Sequence, residues 1–235
     1  MRLLKAVTIS LLCWPVVFGQ GAGSTATDWL PEFADVPPQL YGLLGSLHGL
    51  ADCLSKGPDH SPQQNQILVE LEDLSRGLLH GWDQANRNSW VKVPPPAAYQ
   101  DSLNEDLQAC QAAIESTNAR ARENFWQGLA EDLRIKAEDC HKGGMGRTIE
   151  LAVTTWDGDK TSSGWQVFYK RQFQGLASRE FQMPNLSSPT TKHQLPPGNY
   201  LVRAEKSLGG EARQIPPSPI QIFGQNRISA DIKTR

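Results

Sequence analysis

The cysteines are the residues of this chain best suited to redox chemistry. Cys53, Cys110 and Cys140 follow the N-terminal twenty residues, and an odd number of thiols allows one disulfide and one free thiol. The helical pattern of this region predicts three helices running up, down and up, which sets the three cysteines farther apart than the roughly 7 Å between Cα atoms that a disulfide tolerates. We therefore expect the cysteines, and Cys110 above all, to be buried and to pack as small apolar residues. Whether any of them forms a disulfide stays open.

Histidines and carboxylates are the residue types that bind metals and transfer protons. Only Cys140 and His141 are neighbours, and adjacent side chains on a helix point about 100° apart, so they make a poor metal pair. Two acidic stretches could hold paired carboxylates for acid–base catalysis, but leucines between them predict that they form the solvent-exposed faces of helices. The residues are Glu70, Glu72, Asp73, Asp101, Glu105 and Asp106. We predict no catalytic residue, no metal site and no cofactor.

Three aromatic residues are the candidates for contact with a ligand. Trp156, Trp165 and Tyr169 lie in or beside predicted strands, where aromatic rings can stack on sugar rings. Packing between two sheets is the alternative role for each ring. The nearby Asp157-Gly158-Asp159 predicts a hairpin turn, because it lacks the further acidic positions of a calcium-binding loop.

Apolar residues recur every three or four positions through the first half of the chain, which predicts helices. The pattern gives one helix between Pro38 and Gly57 and a second from Ser61-Pro62 to about Asn88. After Pro94-Pro95-Pro96 it continues without proline to Gly143, which predicts a third helix of more than about 40 residues. Short links predict an antiparallel three-helix bundle, of coiled-coil character, in which the third helix overhangs the others.

The second half of the chain has the alternating pattern of short strands. Predicted strands include 148–156, 165–169, 200–204, 220–223 and 228–232, separated by prolines and turn residues. About seven short strands in this length predict a small antiparallel β-sandwich. The expected fold class is therefore α+β in two domains, a three-helix bundle followed by the sandwich.

The distribution of charge supports a boundary between the two halves. The net charge of the chain is −2, but residues 24–145 carry 18 acidic and 9 basic residues, whereas residues 146–235 carry 7 and 12. We predict an extended segment at 20–36, a helical domain at 37–142 and a sandwich domain at 147–235. A net charge near zero, with a mean hydropathy of −0.45, argues against nucleic-acid binding and against several membrane spans.

The N-terminal residues have the three parts of an export signal. Arg2 and Lys5 precede an apolar stretch, and Val17 and Gly19 suit cleavage before Gln20. The apolar stretch is shorter than a membrane anchor and contains a proline, and leucines before Cys13 disfavour lipidation. We predict a signal peptide at 1–19, a secreted or periplasmic protein, and no transmembrane anchor after cleavage.

The run Leu195-Pro196-Pro197-Gly198-Asn199-Tyr200-Leu201-Val202-Arg203-Ala204 resembles a hairpin of carboxypeptidase-regulatory-like and PEGA-type domains. This resemblance implies a prealbumin-like sandwich of an exported bacterial protein, without catalytic residues. It also implies structural roles for Pro197 and Gly198 in the turn and for Tyr200 in the core. The helical half resembles no family.

These features predict a non-enzymatic, exported interaction or cell-envelope protein, in which helices carry a β-sandwich binding module. Its expected partner is a protein or a component of the cell envelope. The alternative is a carbohydrate-binding module on the sandwich, and a hydrolase with its site between the domains is a third reading. An exposed aromatic row would favour the sugar, and an apolar groove on the helices would favour a protein partner.

Overall fold

The computed structural model describes residues 36–57, 61–87, 95, 97–144, 147–172, 179–184, 188–208 and 211–234. The predicted signal peptide and nearly all of the predicted extended segment lie outside the described residues. No helix among these residues is both long enough and apolar enough to cross a membrane.

Four α-helices form the first part of the described chain, which we call the helical part. They are α1 (Tyr41–Ser55), α2 (Pro62–Asn86), α3 (Ala97–Glu115) and α4 (Ala119–Asp139). A 3₁₀ turn (Pro38–Leu40) leads into α1, and a π-helical turn (Cys140–Gly144) follows α4. Ser61 caps α2 by accepting a hydrogen bond from the backbone of Gln64, whose side chain accepts one from the Ser61 backbone in return.

The predicted single third helix is wrong, because the chain breaks at Ser116–Asn118. The side chain of Asn118 accepts a hydrogen bond from the Ala121 backbone and so starts α4 as a new helix. The backbone amide of Ser116 turns back to the Ala113 carbonyl. The break removes the predicted overhang, since α4 folds back along α3 instead of continuing past the other helices.

The helices pack mainly in two pairs, α1 with α3 and α2 with α4. In the first pair, Ser46 hydrogen-bonds to Asn104 and Gly49 lies against Leu107, so residue numbers rise together and the helices run parallel. The apolar side chains of all four helices form one buried core.

Eight strands of the described residues form two four-stranded sheets, which we call the sheet part. The strands are β1 (Ile149–Asp157), β2 (Lys160–Thr161), β3 (Gln166–Arg171), β4 (Glu180–Gln182), β5 (Thr190–Leu195), β6 (Gly198–Leu208), β7 (Glu211–Ile222) and β8 (Arg227–Lys233). In the first sheet β1 pairs antiparallel with β2 and β5 and parallel with β8. The second sheet has the order β4-β3-β6-β7. Alternate side chains of both sheets share one core.

The predicted three-helix bundle followed by a small antiparallel sandwich is wrong. The described chain is an α+β fold with four helices and two sheets, and β8 lies parallel to β1. Parallel pairing arises because β8 returns to β1 after the chain has passed through the whole second sheet, not through a hairpin. The proline-rich segment around Pro216 lies in β7, the edge strand, where missing amide donors are tolerated.

Candidate functional site

A group of four buried charged residues joins the helical part to the sheet part. We call Asp106 of α3, Asp132 and Lys136 of α4 and Arg171 of β3 the interface cluster. Their exposed fractions are 0%, 2%, 0% and 4%. Charged side chains are rarely buried to this degree unless they are paired, so the cluster marks a place where two parts of the fold depend on each other.

Each charge in the interface cluster has partners of opposite sign. The Lys136 ammonium lies 3.2 Å from a carboxylate oxygen of Asp106 and also contacts Asp132. The Arg171 guanidinium lies 3.1 Å from the other oxygen of Asp106, and it also contacts Asp132 and the hydroxyl of Ser102. Two carboxylates and two cations give the cluster no net charge.

Burial and pairing act in opposite directions on these groups. Burial raises the pKa of Asp106, and the nearby Arg171 and Lys136 oppose this effect. Burial disfavours the charged form of Arg171, yet Asp106 and Asp132 together raise its pKa above the ordinary value. The guanidinium therefore stays charged inside the protein.

The turn between β5 and β6 docks directly on the interface cluster. The backbone amide of Asn199 donates a hydrogen bond to the second carboxylate oxygen of Asp132, at 3.2 Å. A Cβ atom added to Gly198 would collide with that same oxygen. Glycine is needed at this position because the turn and α4 approach so closely.

Next to the cluster lies a cleft of about 230 Å³ between α3 and the sheet part. We call it the α3 cleft. One face of α3 forms one wall, and β3, β4, β5 and the start of β6 form the other. The lining residues include Asp101, Ser102, Glu105, Tyr169, Arg171, Phe181, His193, Gln194 and Tyr200. Small clefts with both aromatic and polar walls are the usual form of ligand sites.

Tyr169 is the central aromatic side chain of the α3 cleft. Its ring stacks on Phe181 with centroids 5.5 Å apart and planes 21° apart, and it lies edge-on to Tyr200. The Tyr169 hydroxyl and Nε2 of His193 are hydrogen-bonded at 3.0 Å, which ties the second sheet to the first. These contacts fix the orientation of the ring.

Three titratable groups of the cleft have altered acidity. Burial raises the pKa of Glu105, and Arg171 opposes this effect. Burial, together with the Glu105 charge, raises the pKa of Tyr169 to about 12. Burial lowers the pKa of His193, so its ring is neutral near pH 7. Altered acidity in a cleft is typical of functional sites.

The three aromatic residues predicted to contact a ligand do not share one surface. Tyr169 lines the α3 cleft, whereas Trp165 belongs to the core between the sheets and is 5% exposed. Trp156 lies on the first sheet, where its indole N–H donates to Asp231 and the Lys233 ammonium lies over its ring. The structure therefore brings only Tyr169 to the cleft.

The residues implied as structural lie in the contact between the two parts. Pro197 and Gly198 are buried in the turn that faces α4. Tyr200 is 2% exposed, and its hydroxyl donates a hydrogen bond to the Pro196 carbonyl at 3.0 Å.

The predicted solvent exposure of Asp106 is wrong, since it is fully buried, and Glu70 is only 8% exposed. Spacing could have revealed Asp106, because it occupies a position in the buried three–four stripe of α3 formed by Tyr99, Leu103, Cys110 and Ala113. Asp132 and Lys136 continue the stripe of Phe125 and Leu129 on α4 in the same way. A charge in an apolar stripe indicates a buried partner.

Arg171 was missed because the predicted strand ended at Tyr169. Val167, Tyr169 and Arg171 alternate along β3 and so share one face, which leads from the core through the cleft to the cluster.

The predicted separation of the cysteines is wrong for one pair. The side chains of Cys53 and Cys110 are close enough to interact, because α3 runs parallel to α1 and the two residues lie at nearly the same depth along their helices. All three described cysteines are buried, and none of them takes part in a disulfide in the structure. Within the described part of the chain, no group of three or more His, Cys, Asp or Glu side chains is placed to hold a metal ion.

Comparison with known proteins adds little to this geometry. No protein-family model matches the sequence, and no curated protein matches it. Among solved structures, a crystal structure of (S)-allantoin synthase aligns with 90% of this chain and 96% of that chain, at 11% identity and a TM-score of 0.26. A TM-score this low carries no information on function, and the resemblance of the second half to carboxypeptidase-regulatory-like domains stays a prediction.

Proposed function

We propose that this chain is an exported, non-enzymatic binding protein, and that its α3 cleft binds a single-ring ligand of the carbohydrate class. The observation that carries the proposal is the stacked pair of Tyr169 and Phe181 facing a helix wall of hydrogen-bonding groups. Export follows from the leader-like sequence of residues 1–19.

The two walls of the cleft suit the two kinds of surface that a sugar presents. The aliphatic C–H face of a sugar ring packs on aromatic rings, which Tyr169 and Phe181 provide. Sugar hydroxyls both donate and accept hydrogen bonds. Asp101 and Glu105 offer acceptors, and the Gln194 amide offers both a donor and an acceptor. The interface cluster beside the cleft has no net charge, which is compatible with a neutral ligand.

The size of the cleft limits the ligand. Its volume of about 230 Å³ is below the range of roughly 300–1,000 Å³ that is usual for drug-sized ligands. One ring therefore fits better than an extended oligosaccharide.

The surface of the helical part gives less support to docking of a protein or envelope component. Protein-docking surfaces usually contain a contiguous apolar patch. Among the described residues, the exposed large apolar side chains are Tyr41 and Val69, which lie on different helices. This distribution favours the small ligand over the protein partner.

Calorimetric titration of the purified chain with a panel of neutral, acidic and amino monosaccharides tests the proposal. We expect saturable binding of at least one sugar, and Phe181→Ala should weaken it about tenfold, the equivalent of one lost aromatic contact. Phe168→Ala is the matched control, because Phe168 is on the opposite face of β3, beneath the Arg203 guanidinium. Absence of binding by every sugar from a folded protein would overturn the proposal, as would equal losses in the two variants.

A hydrolase is a second candidate, favoured by the acidity of Glu105 and His193. The raised pKa of Glu105 brings this carboxyl closer to neutral pH, where a general acid works best, and the lowered pKa of His193 keeps its ring neutral, the form that can accept a proton. Release of a new product from a bound sugar conjugate, lost in Glu105→Gln while binding persists, would favour the enzyme over the binding protein.

A further inference from the structure

Two buried thiols face each other across the parallel pair α1 and α3. Cys53 is 5% exposed and Cys110 is 0% exposed. Their side chains are close enough to interact with each other, and both belong to the same buried core.

Small residues bring the backbones of the two helices together on the same side as the thiols. Gly42, Ser46, Gly49 and Cys53 recur every three or four residues, and so they lie along one side of α1. A Cβ atom added to Gly42 would lie 2.8 Å from the side chain of Gln100, and one added to Gly49 would lie 2.9 Å from Leu107. The helices therefore approach more closely than larger side chains would allow.

The register of the two helices shows that their close approach continues as far as the cysteines. Gly42 faces Gln100, Ser46 bonds to Asn104 and Gly49 faces Leu107, with a constant difference in residue number. The next small residue of α1 on this side is Cys53. The same offset leads from Cys53 to Gln111, the residue directly after Cys110, so the two cysteines lie at nearly the same depth along the paired helices. A disulfide needs such proximity of both backbones and both sulfur atoms.

We propose that Cys53 and Cys110 form a disulfide that joins α1 to α3 in the mature protein. The oxidant is an external disulfide, either that of a thiol–disulfide oxidoreductase or oxidised glutathione. The thiolate of one cysteine attacks the external disulfide and forms a mixed disulfide, and the second thiolate then displaces the external sulfur. The two cysteine thiols lose two protons and two electrons, and the external disulfide is reduced to two thiols.

Burial of the two thiols determines when this exchange can occur. In the folded helical part neither thiol is open to a protein oxidant, so the bond forms while the chain folds or when α1 opens locally. An exported chain meets such oxidants in the compartment where it folds. The inference rests on the proposed export of the chain, but it does not depend on the ligand of the α3 cleft.

Cys140, the third described cysteine, is not part of the proposed disulfide. It lies in the turn after α4, where its Sγ atom is 3.5 Å from the Tyr99 hydroxyl and an added Cβ on Gly77 would touch its own Cβ. This packing holds Cys140 in contact with α2 and α3 residues other than the two cysteines.

Peptide mapping of the full chain tests the proposal directly. The protein is produced in an oxidising compartment, or refolded from the reduced state with oxidised and reduced glutathione. It is then unfolded in an alkylating reagent that blocks free thiols before digestion. We expect a peptide that links Cys53 to Cys110, with Cys140 alkylated. Alkylation of both Cys53 and Cys110, or a bond from either to Cys140, would overturn the proposal.

Thermal unfolding with and without a reductant gives a second readout. Reduction of the wild-type protein should lower the Tm by roughly 5 to 15 °C, as expected for loss of one cross-link in a chain of this size. Cys110→Ala should remove this difference, and Cys140→Ala, the control of equal burial, should retain it. A reductant effect that survives in Cys110→Ala would contradict the proposal. If a variant does not fold, the peptide map of the wild-type protein still decides.

Discussion

Single residues of the interface cluster decide whether its charges are balanced. Removal of one member leaves another buried charge without compensation, which costs far more than loss of an ion pair at the surface. Arg171 is the member contributed by the sheet part, and it contacts both carboxylates.

Arg171→Leu should therefore lower the free energy of unfolding by about 3–5 kcal/mol, because Asp106 and Asp132 would then share Lys136 alone. Urea denaturation measures the change. The control is Arg203→Leu, which removes the contacts of Arg203 with Glu180 and Glu205 at a partly exposed site and should cost at most about 1 kcal/mol. Equal costs would show that the cluster contributes no more than a surface pair.

Tyr200 combines a core position with a place beside the cleft. Tyr200→Ala should cost about 3–5 kcal/mol, the usual result of truncating a buried aromatic side chain. Tyr200→Phe should cost only about 1 kcal/mol, because it loses just the hydrogen bond to the Pro196 carbonyl. Thermal melting compares the two variants. Unchanged melting of Tyr200→Ala with loss of sugar binding would make Tyr200 a ligand contact instead of a structural residue.

The raised pKa of Glu105 predicts how stability changes with pH. Above that pKa the folded protein carries a partly desolvated carboxylate, which lowers stability, whereas well below the ordinary pKa of a glutamate the carboxyl is protonated in both states. Glu105→Gln should therefore raise the Tm at pH 7, and the gain should shrink as the pH falls to about 4. Glu115→Gln removes the same charge from an exposed site of α3 and should not reproduce this pattern.

Helix pairing depends on glycines where two elements approach closely. Gly77 of α2 is such a position, because an added Cβ would lie 3.1 Å from Cβ of Cys140 and 3.4 Å from the carbonyl oxygen of Ala137. Neither atom can move without its backbone. Gly45 of α1 has no neighbour within 4 Å of an added Cβ.

The two glycines should respond to alanine in opposite directions. Gly45→Ala should stabilise the protein by about 0.5–1 kcal/mol, since alanine favours the helix. Gly77→Ala should lose this gain to crowding, which typically costs about 1–3 kcal/mol. Chemical denaturation measures both, and a stabilised Gly77→Ala would show that α4 can shift away from α2.

Several contacts among the described residues hold the helical part to the sheet part. The interface cluster is the most buried of them. In addition, Arg147 pairs with the buried Asp139 at 2.9 Å and donates to Asn226, and the Lys142 ammonium lies 4.4 Å from the centre of the Phe223 ring. The domain boundary predicted near residues 142–146 stays a prediction.

Limited proteolysis should cut the chain near residues 142–146. The two fragments should nevertheless stay together on gel filtration, because their separation would expose the charges of the interface cluster. The same cut in Arg171→Leu should release the fragments more readily. Resistance of this stretch to cleavage would place the boundary elsewhere. Fragments that separate without denaturant would show that the cluster does not hold the two parts.

Features that depend on near neighbours in the chain could be predicted from the sequence. Ser61-Pro62 starts α2 because the cap and the fixed proline angle act within one turn. The alternating residues 148–156 correspond to β1, and the turn after it contains Gly158 with a φ of +60°, which glycine adopts without strain. Such signals are local, so no partner element is needed to read them.

The way in which these elements pack depends on contacts between residues that are far apart in the sequence. Whether α3 ends at Glu115 depends on α1 and α2, which offer separate surfaces for α3 and α4. The parallel direction of α1 and α3 brings Cys53 to Cys110, and the docking of β3 brings Arg171 to Asp106 and Asp132. In each case the residues are distant in sequence, and their free energy of contact exists only after the chain has folded.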